Sequence, residues 1–118
     1  MNSIGHNSGA PDADHVAHEL SQRGLNWADK QAAAQALEEA QKSVLAEVAA
    51  DYRQSGVKSQ TEAEGLARAS KKYRDFVAEM VEARRHANRA RVNFDTYKTW
   101  IELIRTKAAT DRAQMQLR

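Results

Sequence analysis

The chain has 118 residues, with 18 Lys and Arg against 16 Asp and Glu, 42% hydrophobic residues, 6% aromatic residues, one Pro and no Cys. A chain of this length holds one domain of roughly 100–150 residues, and the lack of Cys excludes disulfide frameworks, thiol nucleophiles and Cys-based zinc sites. No apolar run approaches the ~18 residues of a membrane span, and the N-terminus has neither the basic nor the apolar region of a secretion signal, so no membrane partner is expected.

Residues 1–25 read as a polar tail. Asn2, Ser3, Gly5, Asn7, Ser8, Gly9 and Pro11 bury too little apolar surface to offset the entropy of ordering them, which predicts disorder over 1–11. A short helix over 12–23 is expected, with Asp12 or Asp14 as cap, Val16 and Leu20 on one face, and Gly24 as its end.

Residues 26–118 read as a single helical domain. Asn26 is a suitable N-cap for a helix over 27–55, and Asp29 suits the positive end of its dipole. Ala32, Ala33, Ala34, Leu37, Ala40, Val44, Val48 and Tyr52 form its apolar stripe, and Gly56 is the expected residue just past its end. The link that follows is short, which implies an antiparallel hairpin. Ser59 with Glu62, or Thr61 with Glu64, has capping-box spacing for the next helix.

That second helix is predicted over 61–115. One register of apolar residues is Leu66, Tyr73, Met80, Ala87, Phe94, Ile101, Ala108 and Met115. The other is Ala69, Phe76, Ala83, Ala90, Tyr97 and Ile104, with Asp111 as its one violation. Gaps of three and four alternate throughout, which is a heptad pattern and predicts coiled-coil-like packing.

At ~1.5 Å per residue, a helix over 27–55 reaches about 43 Å and one over 62–115 about 80 Å. A lone hairpin would therefore leave the stretch from Arg91 onward uncovered, although it holds Phe94, Tyr97, Trp100, Ile101 and Ile104. The favoured resolution is a homo-oligomer, dimer or higher, with those five residues at its interface. The alternative is a compact three-helix bundle with a break near 88–93.

The net charge of +2 is a cancellation: residues 1–67 carry a balance of −5 and residues 68–118 one of +7. Arg84, Arg91, Lys98, Arg105 and Arg112 recur every seventh residue, with Arg85 and Arg89 beside them. Regularly spaced cations on a helix can neutralise phosphates without reading sequence, so DNA or RNA is a candidate partner through these seven residues. A protein partner docked on the distal apolar segment is the competing reading. No nucleophile motif, phosphate loop or metal-ligand spacing is present, and neither an enzyme nor a cofactor is expected.

The opening Met1-Asn2-Ser3-Ile4-Gly5-His6-Asn7-Ser8-Gly9 resembles the start of many small phage- and prophage-encoded bacterial proteins. The resemblance covers only these nine residues and transfers no functional residue. It implies a bacterial cytoplasmic setting and an accessory role around phage DNA.

Overall fold

A computed structural model describes residues 12–117. The expected disorder of residues 1–11 falls outside them. The described chain is all-α, with α1 over Ala13–Gln54, α2 over Gln60–Ala69 and α3 over Lys71–Gln116.

Helix α1 starts fourteen residues earlier than the expected helix 27–55. Asp12 caps it: its side chain accepts from Asp14 N at 3.3 Å and its carbonyl from Val16 N at 2.9 Å. Gly24 does not end a helix and Asn26 does not start one; both lie inside α1. An internal Gly costs about 1 kcal/mol relative to Ala. Here its missing Cβ gives room to Phe94, whose Cε1 lies 3.3 Å from where that atom would stand.

The other end of α1 follows the expected pattern. Gly56 has φ +114°, Gly56 N donates to Arg53 O at 3.2 Å and Val57 N to Tyr52 O at 3.1 Å. These are the two bonds of a Schellman motif, and Val57 packs back on the core as that motif favours. Ser59 then caps α2, accepting from Glu62 N at 3.3 Å.

The expected helix 61–115 is divided at Ser70. Its backbone is extended (ψ 152°), its hydroxyl donates to Ala67 O at 2.6 Å and accepts from Tyr73 N at 3.2 Å. One serine thus closes α2 and opens α3. The heptad phase slips there too: Leu66 and Ala69 are exposed, while Ala63 and Ala67 are buried. Helix α3 is unbroken through 88–93, which removes the alternative break at that point. No Gly or Pro interrupts it, and the seam keeps its phase through Ala87, Ala90 and Phe94.

The chain divides into two compact units, one of Ala28–Arg89 and one joining Met1–Trp27 to Ala90–Arg118. In the first, Val48, Ala49, Ala63 and Ala67 form the core, with Leu45, Tyr52 and Val57 against it. Ala32 and Ala33, expected on the stripe, are exposed, whereas Ala34, Leu37, Ala40, Val44, Val48 and Tyr52 are buried or half-buried; Gln31, Glu38, Gln41, Leu45 and Ala49 join them on the seam. Its polar members are satisfied across the helix pair. Gln41 Nε2 donates to Tyr73 Oη at 3.0 Å, and Gln31 and Glu38 accept from Arg84.

In the second unit, Trp27 and Phe94 meet with ring centroids 5.5 Å apart. Arg23 ties the same helix pair. It donates to Glu19 at 3.0 Å and to Asn93 at 3.1 Å, and its guanidinium lies 4.3 Å from the centre of the Tyr97 ring. Residues 13–26 of α1 therefore supply the cover that a helix starting at 27 could not. Phe94 and Tyr97 are half-buried within their own chain, as are Ile101 and Ile104.

Candidate functional site

With Tyr73, Met80, Ala87, Phe94 and Ile101 at heptad position a and Phe76, Ala83, Ala90, Tyr97 and Ile104 at d, the seven-spaced cations occupy position e of α3. A continuous helix carries them in one row beside the seam, about 10 Å apart. Arg85 and Arg89 fall at f and c, on the outward side. The seven cations therefore do not form a single surface.

Arg84 belongs to the fold. Its Nε and Nη2 donate to Glu38 at 2.8 and 2.7 Å and its Nη1 to Gln31 at 2.7 Å. The fork-on-carboxylate geometry is the strong, directional form of this pair. Arg84 is 31% exposed and Glu38 38%, so solvent screens the pair in part. The Arg84 hydrogen bonds hold the Glu38 carboxyl below its ordinary value, burial pushes the other way, and the guanidinium charge adds to the lowering. The same contact raises Arg84. Arg85 is paired to Glu82, which also meets His86 Nε2 at 2.8 Å.

Arg91, Lys98, Arg105 and Arg112 are all exposed and have no ion pair among the described residues. The reason is legible on α1. Glu38 serves the first member of the row, but the residues one, two and three heptads before it are Gln31, Gly24 and Ala17, none of them acidic. Asp95 and Glu102 lie within a turn of the row on α3 itself. Exposed pairs at that spacing contribute only ~0.3–0.5 kcal/mol.

Trp100 stands apart from the other aromatic residues. It is 44% exposed, contacts Tyr97 at a centroid distance of 5.5 Å, and lines a shallow open depression with Asp95, Thr96, Thr99 and Leu103. Among the described residues there is no group of three or more potential metal ligands, and no helix is long and apolar enough to cross a membrane. No family model, curated protein or solved structure matches the chain.

Proposed function

We propose that this is a non-enzymatic accessory protein that associates with nucleic acid, without sequence readout, through Arg91, Lys98, Arg105 and Arg112. The observation that carries the reading is the exposure of these four cations in one row of an unbroken helix, with no acidic residue at the matching α1 positions. The row is about 32 Å long, and its regular charge suits a phosphate backbone rather than base edges. The resemblance of Met1–Gly9 to phage and prophage proteins supports a bacterial cytoplasmic setting. The heptad seam supports a coiled-coil-like hairpin, and the exposed Trp100 and Leu103 at the depression on distal α3 support a second reading as an interaction module that docks a protein partner or a second copy.

The test is fluorescence anisotropy of the full chain with a labelled duplex and a labelled single strand. Four phosphate contacts give a salt slope of about −3.6 on a duplex, so affinity falls about 150-fold between 50 and 200 mM salt. Replacing Arg91, Lys98, Arg105 and Arg112 together by Gln abolishes binding and leaves the helical content unchanged. An absence of binding at about 50 mM salt overturns the reading, as does binding that ignores salt.

A further inference from the structure

The outward c and f positions of α3 change character along its length. Before Ala90 they are Lys71, Asp75, Ala78, Glu82, Arg85 and Arg89, five of six charged. After it they are Val92, Thr96, Thr99, Leu103, Thr106, Thr110 and Ala113, none charged, and every one is exposed. In a chain that is 29% charged, the most solvent-facing row of a helix is where charges normally collect. Val92 is 58% and Leu103 64% exposed, and Trp100 flanks the row at position g. Gaps of four and three alternate along it, so distal α3 carries a second heptad seam behind the one that meets α1.

We propose that this row pairs with the same row of a second copy of the chain, α3 beside α3 in parallel. Charge complementarity selects both the occupant and the direction. The rows bordering the new seam are b, with Asp95 and Glu102, and g, with Trp100 and Lys107. In a parallel pair each b row faces the partner's g row. Glu102 then meets a lysine at heptad register, and Asp95 meets an indole N–H donor. In an antiparallel pair b faces b, and Asp95 and Glu102 oppose like charges. Lys107 is available: its contact with Asp111 is 3.0 Å long but 79% exposed on the lysine side, and such pairs hold little. Glu102 makes no ion pair among the described residues. The basic e row lies well round the helix from this seam, so pairing leaves it facing solvent, and the inference stands apart from the nucleic-acid reading.

Sedimentation equilibrium of the full chain without nucleic acid tests it. The mass rises with concentration toward twice the 13.2 kDa of one chain. Leu103→Glu returns it to that of one chain with unchanged helicity, since Leu103 is exposed in the hairpin. Lys107→Glu weakens assembly about tenfold, and the charge swap Glu102→Lys with Lys107→Glu restores it. Because the chain lacks Cys, Thr99→Cys and Thr110→Cys are each clean reporters, and both cross-link to themselves in a parallel pair. A wild-type mass of one chain at about 1 mM, the weak end of measurable association, overturns the proposal. So does assembly that survives Leu103→Glu, a charge swap that recovers nothing, or cross-linking at only one of the two cysteines.

Discussion

The unit of Ala28–Arg89 is held by small side chains: Ala34, Ala49, Ala63 and Ala67 are fully buried there, with Val48 and Ala87 nearly so. The unit joining Met1–Trp27 to Ala90–Arg118 uses large ones, Trp27, Phe94 and Tyr97, set against a helical glycine. The small residues let backbones approach closely and leave no volume to spare. The aromatic residues bury more area per side chain, but they need a gap, and Gly24 provides it. The same heptad spacing thus runs two packing regimes. They differ in what they tolerate: added volume damages the first, and lost volume damages the second.

The largest expected effect breaks that contrast directly. Ala49→Leu forces a branched side chain into a site with no exposure, at a cost of about 2–3 kcal/mol. Trp27→Ala removes a half-buried ring and its contact with Phe94, at a cost of about 2 kcal/mol. Urea unfolding followed by circular dichroism measures both. If Ala49→Leu is neutral while an equivalent enlargement near Phe94 is not, the assignment of the tight regime to the Ala28–Arg89 unit is wrong. A third change of similar kind tests the end of α1. Gly56 sits at φ +114°, so Gly56→Ala costs about 1–2 kcal/mol of backbone strain with no loss of contact.

The two regimes were unequally legible in the sequence. The α3 seam from Tyr73 to Ile104 stands out because every a and d position is apolar and all are at least half-buried. The α1 seam is only partly legible: Ala34, Leu37, Ala40, Val44, Val48 and Tyr52 mark it, but an apolar count adds the exposed Ala32 and Ala33 and misses Gln31, Glu38 and Gln41. Their partners, Arg84 and Tyr73, are more than thirty residues away in sequence, so no local pattern announces them. Gly24 and Asn26 read as stop and start signals, yet a glycine facing an aromatic ring is compatible with helix, and Asp12 was the operative cap. Ser70 carries only a weak signal, because no acidic residue follows at capping-box spacing. For the basic row, the spacing was plain in the sequence, whereas the withdrawal of Arg84 into the fold depended on where Glu38 lies.

The polar layer gives the next prediction, which sharpens what fixes the register of the alanine-rich unit. Glu38 is held below its ordinary 4.5 by Arg84, so its contribution to stability is complete above about pH 4.5. It is lost as pH falls through the lower value that Glu38 has in the folded chain. Glu38→Gln flattens that part of the acid limb. Urea midpoints between about pH 3 and 6 compare the variants. An unaltered acid limb in Glu38→Gln shows that the Arg84 pair does not stabilise the fold. Arg84→Lys keeps the charge but loses the bidentate fork, so it behaves as a partial loss rather than a conservative change.

The smallest expected effect is the most discriminating, because it is a difference between two opposing terms. Gly24→Ala gains about 1 kcal/mol of helix propensity in the middle of α1. The new Cβ would stand 3.3 Å from Phe94 Cε1, so the ring must give by a few tenths of an ångström, which disturbs its contact with Trp27. Aromatic pairs contribute about 0.5–1.5 kcal/mol beyond their buried area, so the two terms nearly cancel and the single variant is close to neutral. The cancellation has a cause that can be removed. In a Phe94→Leu background the ring is absent, and Gly24→Ala then stabilises by close to the full ~1 kcal/mol. If the alanine is equally neutral in both backgrounds, Gly24 makes no room for Phe94. If it stabilises equally in both, the ring yields without cost, and the aromatic unit is as tolerant of added volume as of none.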